Sequence, residues 1–145
     1  VVTVDLSPVG VVKARRLAAE RGVEIDARVA DLETFEFEPE SWDLIVSVFC
    51  HLPPALRHKV HSSVPNALRR GGCFVLEAYR AANIGRGVGG PQNDEMTVEL
   101  EDILHDLGAT NGMTIEVGRE IERAIVEGKY HNGMSATTQV LARKS

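Results

Sequence analysis

Hydrophobic and polar positions along the chain switch repeatedly between short β-type runs and a helical period. Val1 to Val4 is an apolar, β-prone run that ends on Asp5, and Ser7-Pro8 then opens a segment with helical spacing. That order predicts a buried parallel strand, a tight turn and a helix start, with Ser7 as cap and Pro8 in the first turn. Val12, Leu17, Ala18 and Ala19 give the helix an apolar side, while Lys13, Arg15, Arg16, Glu20 and Arg21 stay wet and Gly22 stops it. Val23 to Ala30 alternates as a second strand, with Ile25, Ala27 and Val29 on one face. Its wet alternate positions predict a sheet edge, and it ends at Asp31-Leu32. Thr34 to Ser41 reads as an acidic loop. Trp42-Asp43 then introduces Leu44 to Phe49, a continuous apolar run predicted to be a central strand, which ends at Cys50-His51-Leu52-Pro53-Pro54.

The second half repeats the alternation. Pro54 to Arg70 is predicted helical, with Leu56, Val60, Val64, Ala67 and Leu68 on one side, Pro65 as a weak point, and Gly71-Gly72 as the stop. Cys73 to Tyr79 reads as another buried strand, and Ala81 to Asn93 as a glycine-rich irregular segment. Glu95 to Leu107 is predicted helical, with Leu100, Ile103, Leu104 and Leu107 at helical spacing and Gly108 beyond. Met113 to Arg123 alternates as a strand, Glu127 to Gly133 as a turn, and Thr137 to Arg143 as the last strand. The connection between these last two strands is too short for a crossover helix, so they are predicted to pair antiparallel. Strands alternating with helices and ending in a hairpin give an open α/β sheet.

With 145 residues, a single domain over 1–145 is expected. A formal charge of −5 excludes a basic nucleic-acid groove or an anionic membrane surface as the expected partner. No apolar run approaches the ~20 residues of a membrane helix, and none reads as a signal peptide. Two cysteines, Cys50 and Cys73, make no disulfide framework; with the rest of the composition this predicts a cytoplasmic chain. The sequence opens without Met and directly inside an apolar strand, which predicts a piece of a longer chain.

Candidate chemistry lies at the strand ends. In open α/β sheets ligands bind outside the carboxyl ends of strands, and Asp5 stands at such an end. A carboxylate there can accept both vicinal hydroxyls of a ribose, so Asp5 is the first element of a nucleoside site, and Asp31 is a second strand-terminal acid. His51 follows the central strand at a mouth position that suits a base or an acceptor-orienting group, beside Cys50, which reads as a small buried residue. Tyr79, Tyr130 and His131 fall near strand ends or the hairpin turn and are candidates to line an acceptor pocket. Gly85-Arg86-Gly87-Val88-Gly89-Gly90 spells a dinucleotide signature, but no strand precedes it directly and Pro91-Gln92-Asn93 replaces the expected helix, so a mobile loop over the site is expected. His58 and His61 lie three apart on a helix without an evident third ligand, and no metal is predicted. Glu116, Glu120, Glu122 and Arg123 read as a solvated strand face.

The sequence of strand-Asp-x-Ser-Pro-helix, strand-Ala-Asp-Leu, Trp-Asp-Leu-Ile-Val-Ser and Leu-Arg-Arg-Gly-Gly-strand resembles the class I S-adenosylmethionine-dependent methyltransferases, most of all small bacterial members similar to tellurite-resistance and thiopurine methyltransferases. The resemblance implies a Rossmann-like, mostly parallel open sheet with a C-terminal antiparallel hairpin, and S-adenosylmethionine as cofactor. It implies that Asp5 binds the ribose hydroxyls with Leu6 against the adenine, and that Asp31 receives the adenine amino group with Leu32 flanking the ring. Val48 and Phe49, with Cys50 and His51 behind them, match the strand end beneath the methionine and sulfonium part, where His51 would serve an acceptor that needs a base. Leu68 to Gly72 matches a structural turn, with Arg70 where the family usually has Pro. The family's Gly-x-Gly-x-Gly loop and first strand would lie before Val1, between the strands that start at Val1 and Leu44. The implied activity is methyl transfer to a small-molecule acceptor. Two other classes stay open: a non-catalytic fragment that binds no cofactor and self-associates through the vacated strand position, and a nicotinamide-dependent oxidoreductase.

Overall fold

The computed structural model describes residues 1–108, 112–128 and 131–145 and divides into two units, Val1–Glu36 and Phe37–Ser145. In the first unit β1 (Val2–Asp5) leads into α1 (Pro8–Glu20), and β2 (Asp26–Val29) pairs parallel with β1, Val2 opposite Asp26 and Asp5 opposite Val29. The Ser7 hydroxyl accepts from the Gly10 N–H at 3.2 Å, Pro8 occupies the first turn, and Gly22 stands just past the Arg21 C-cap. The helix buries Val11 and Ala18, whereas Val12 and Leu17 are 63% and 52% exposed. The expected apolar side is therefore displaced by about one position, to the face of Val11 and Ala18, while Arg15 donates to the Ala27 carbonyl at 2.5 Å. β2 is shorter than the Val23–Ala30 run, and β1 is half-buried rather than buried, since each strand has only the other as neighbour.

The second unit contains β3 (Trp42–Val48), α2 (Pro54–Ala67), β4 (Leu68–Tyr79), α3 (Leu100–Leu107), β5 (Met113–Val126) and β6 (Asn132–Lys144). Its four strands run in the order β3-β4-β6-β5; β3 is parallel to β4, and β6 is antiparallel to both β4 and β5. One face of this sheet, through Phe74, Leu76, Ala78, Val140 and Ala142, packs on Val64, Leu68, Val98, Ile103 and Leu107. Fold class is thus α/β and Rossmann-like, with parallel pairs and a closing antiparallel hairpin.

Several boundaries differ from the expected ones. β3 is an edge strand, not a central one, and Leu44, Val46 and Val48 on its other face are about half exposed. α2 ends at Ala67 rather than Arg70, because Leu68 already turns extended and pairs with Trp42. The register then jumps to Leu44 opposite Cys73, so Arg69 to Gly72 form a bulge inside β4, held by Arg69 Nη1 on both Asp43 carboxylate oxygens at 3.0 Å. The buried side of α2 includes Arg57 and His61 beside Val64 and Ala67, while Leu56 and Val60 are only partly covered. α3 begins at Leu100 instead of Glu95: Asp94–Met96 is a separate 3₁₀ turn, and Glu99 with Asp102 forms a capping box.

Glu77 ties the sheet together laterally. Its carboxylate receives Arg123 Nε and Nη2 at 2.6 and 2.7 Å, Thr137 Oγ1 at 3.1 Å and Gln139 Nε2 at 3.0 Å. The Arg123 hydrogen bonds hold its carboxyl below the ordinary value, against the opposing effect of burial. A carboxyl depressed in the folded state stabilises the fold above its unfolded pKa, about 4.3, and that contribution is lost as pH falls through the folded value. Glu77→Gln is therefore expected to lower the thermal midpoint at neutral pH and to flatten its decline below about pH 4.3; a melting series across pH checks this, and parallel curves for both proteins would contradict it.

Candidate functional site

Within the first unit, Asp5 closes β1 and Asp31 lies just past β2. The strands are parallel neighbours and the Ala30 N–H donates to the Asp5 carbonyl at 3.1 Å, so both acids stand at one carboxyl-terminal rim. Each side chain is fixed by its own turn: Asp5 Oδ1 accepts from the Ser7 N–H and Asp31 Oδ1 from the Glu33 N–H, both at 2.8 Å. These contacts commit one oxygen of each carboxylate and orient the other; both residues are exposed. Oδ2 of Asp5 rests over Gly10, where a Cβ would overlap it. A glycine inside an otherwise helical stretch is the sequence signal that would have found this close approach. Leu6, 68% exposed, and half-buried Leu32 flank the two acids. Paired strand-end carboxylates at one rim are placed to accept hydrogen bonds from the donors of a bound ligand.

Within the second unit, β3 ends at Val48 and the chain turns sharply. Phe49 adopts φ 51°, a left-handed conformation costly for an aromatic residue, and its N–H is retained by the Glu77 carbonyl at 2.8 Å. The turn stacks Phe49 on Tyr79 with centroids 4.6 Å apart, and His51 stacks on the same ring at 5.6 Å. His131 meets Tyr79 edge-on at 6.3 Å. These four rings wall a cavity of about 400 Å³ whose remaining sides come from 90–93 and Met96. His51 Nδ1 donates to the Met96 carbonyl at 2.8 Å, a tautomer that makes Nε2 an acceptor; there the Tyr79 N–H approaches at 3.4 Å. Burial pushes the His51 pKa down, against the Met96 hydrogen bond, so the imidazole is neutral at pH 7. Among the described residues the buried Tyr79 hydroxyl has no hydrogen-bond partner, and burial, with the Glu127 carboxylate, raises its pKa.

The end of the glycine-rich segment lines this cavity. A Cβ on Gly89 would stand 2.6 Å from His131 Cδ2, and one on Gly90 2.7 Å from Tyr79 Cδ2, so only glycine lets the backbone lie on those rings. Buried Asn83 anchors the segment, donating to the Gly89 carbonyl at 2.9 Å and accepting from the Ala136 N–H at 3.0 Å. Asn83, Gln92, Asn93 and Met96 carry no sequence signal that would have singled them out, and Tyr130 lies outside the described residues. Arg123 is paired with Glu77 rather than solvated; Glu116, Glu120 and Glu122 pair with Arg143, Arg80 and Arg86.

Residues 1–72, from β1 into the bulge of β4, match the family of methyltransferase domains. The chain belongs to the class I S-adenosylmethionine-dependent methyltransferases. A stretch of 75 residues is 40% identical to the carboxy-S-adenosyl-L-methionine synthase of Psychrobacter sp. (strain PRwf-1), covering 50% of this chain and 27% of that protein. Two solved structures show the family fold at low identity. A SAM-dependent methyltransferase of Methanosarcina mazei aligns with a TM-score of 0.72 at 14% identity, over 99% of this chain and 81% of that one. TehB of Haemophilus influenzae gives 0.73 at 13% identity, over 99% and 49%. The chain therefore spans about a quarter of the curated relative and half of TehB. Among the described residues no helix is long and apolar enough to cross a membrane.

Proposed function

We propose that this chain carries the adenosine-binding and acceptor-binding elements of an S-adenosylmethionine-dependent transferase acting on a small molecule. The observation that carries the proposal is the pair of strand-end carboxylates, Asp5 and Asp31, inside the segment that matches the family. When bound, the cofactor supplies an electrophilic methyl on a sulfonium centre. Asp5 accepts from the ribose hydroxyls and Asp31 from the adenine amino group, with Leu6 and Leu32 on the ring. By the family resemblance alone, Val48 and Phe49, at the end of β3, are the residues assigned to the methionine part. The aromatic cavity takes the acceptor; Tyr79, Phe49 and His131 provide ring surface, and Gln92 and Asn93 provide amide groups. In-line displacement asks mainly for positioning, which the ring-lined cavity can supply.

His51 is the candidate base. The hydrogen bond to Met96 leaves the Nε2 lone pair as the acceptor, and only a long N–H contact occupies it. Its lowered pKa keeps it deprotonated below the usual imidazole range. With a weakly acidic acceptor, His51→Ala is expected to reduce kcat by about 10²-fold or more and to remove the acidic limb of the pH profile. An unchanged profile would assign His51 to the wall alone.

Calorimetric titration with S-adenosylhomocysteine, followed by transfer from labelled S-adenosylmethionine to a panel of thiol, amine and hydroxyl acceptors, tests the proposal. Saturable binding at one site per chain is the expected result. A second reading is favoured by the exposed edge of β3, with Leu44, Val46 and Val48 half uncovered: a non-catalytic chain that self-associates through that edge. It predicts no heat of binding and a dimer in sedimentation.

Gly10→Ala separates local geometry from folding. The added methyl displaces the Asp5 carboxylate. The same substitution favours the helix by roughly 0.5–1 kcal/mol. The expected outcome is an unchanged or higher melting temperature with at least about tenfold weaker S-adenosylhomocysteine binding, both read on one preparation. Undiminished affinity would remove Asp5 from the nucleoside site.

A further inference from the structure

Away from the aromatic cavity, α2 and α3 gather three imidazoles around one buried carboxylate. Asp106 on α3 is 2% exposed. Its Oδ2 accepts from Arg57 Nε at 2.7 Å and lies 3.3 Å from His61 Nδ1. Its Oδ1 faces outward, 3.0 Å from His58 Nδ1 and 3.7 Å from His105 Nδ1, with the centroids of those two rings 5.5 Å apart.

We propose that His58, His105 and Asp106 form a site for a divalent transition-metal ion of the zinc class that clamps α2 to α3. Tetrahedral zinc with ligand bonds of about 2.0–2.1 Å sets neighbouring donor atoms roughly 3.3 Å apart. The observed 3.0 and 3.7 Å bracket that figure, and all three donor atoms lie within 4.8 Å of one another. Small rotations of two surface imidazoles complete the triangle.

The carboxylate is already oriented for this role. Arg57 and His61 hold Oδ2 from behind and leave Oδ1 to the ion, as outer partners do in built metal sites. Arg57 pairs with Asp102 at 3.0 Å as well as with Asp106, so one guanidinium faces two carboxylates and the cluster keeps negative charge for a cation. His58 and His105 side chains are 54% and 78% exposed, which leaves an entry path and room for water as further ligands. Two imidazoles with one carboxylate select zinc, copper, nickel or iron over magnesium and calcium, which prefer all-oxygen shells. The signal in the sequence was the His58/His61 pair; the structure replaces His61 by His105 and supplies the missing carboxylate from the residue beside it.

The site is independent of the methyl-transfer proposal. The test is calorimetric titration of the whole chain, stripped with EDTA, with zinc chloride. One saturable site per chain is expected, with a rise in melting temperature of about 5–10 °C at free zinc roughly 100-fold above the Kd. Magnesium chloride should produce neither. His58→Ala and His105→Ala should each weaken zinc binding at least about tenfold; His105→Ala, at an exposed position, should melt like wild type without metal, while His58→Ala gives up its hydrogen bond to Asp106. Zinc-edge X-ray absorption of the loaded protein should report two imidazoles and oxygen ligands. Absence of a saturable zinc site, or undiminished binding in the double variant, would overturn the proposal.

Discussion

Replacing Asp106 by alanine is expected to destabilise the fold by about 3–5 kcal/mol, the cost of breaking a buried ion pair by removing one partner. The effect arises because Arg57, 9% exposed, and His61, 2% exposed, both turn to this carboxylate inside the α2–α3 contact. Burial alone would favour the neutral acid, but the hydrogen bonds from His61, Arg57 and His58 outweigh it and hold the group well below the usual carboxylate range. Asp106 is therefore charged throughout neutral buffers, and its removal strands a guanidinium that retains only Asp102. For a chain of this size the loss corresponds to roughly 10 °C in melting temperature. Measuring it in EDTA separates it from any metal effect. The paired variant R57M/D106L should recover most of the loss, because apolar replacements of similar volume need no partner. A single-variant cost below about 1 kcal/mol would mean that the network is peripheral to the fold.

Asp5→Ala is expected to weaken S-adenosylhomocysteine binding by about 100-fold or more, from the loss of two charge-assisted hydrogen bonds worth roughly 1.5–3 kcal/mol each. Asp31→Ala, which removes one such bond, should cost about tenfold. Neither change should unfold the protein: both side chains are exposed, and their intramolecular bonds are to the turn amides of Ser7 and Glu33. Titration calorimetry on the two variants beside wild type gives the three affinities directly. Equal affinities would place the nucleoside elsewhere.

Much of this molecule was legible in the order of its residues. Local chemistry fixed what was local: Ser7 and Pro8 start α1, Gly22 ends it, and the two acids follow strand ends where an open sheet needs them. The antiparallel hairpin followed from a connection too short for a helix. What escaped depended on partners distant in sequence. Hydropathy placed Leu56 and Val60 inward on α2, whereas Arg57 and His61 are buried beside Asp106, 45 or more residues later, whose carboxylate gives both a hydrogen-bond partner. Leu44 to Val48 reads like a central strand, yet a strand's position depends on which neighbours pair with it, and β3 has one. Glu95 to Leu107 kept a helical period through residues that form a separate turn; the Glu99–Asp102 capping box was the local sign of the true start. His51 was singled out by position, but its tautomer is set by Met96, which nothing in its own neighbourhood reveals.

The central claim is that Asp5 and Asp31 grip one adenosine together, and the amides of Ser7 and Glu33, which donate to those two carboxylates, are its built-in reporters. In an amide-resolved NMR titration with S-adenosylhomocysteine, both resonances should move together and saturate at one equivalent. Movement of neither, or of one alone, would contradict it.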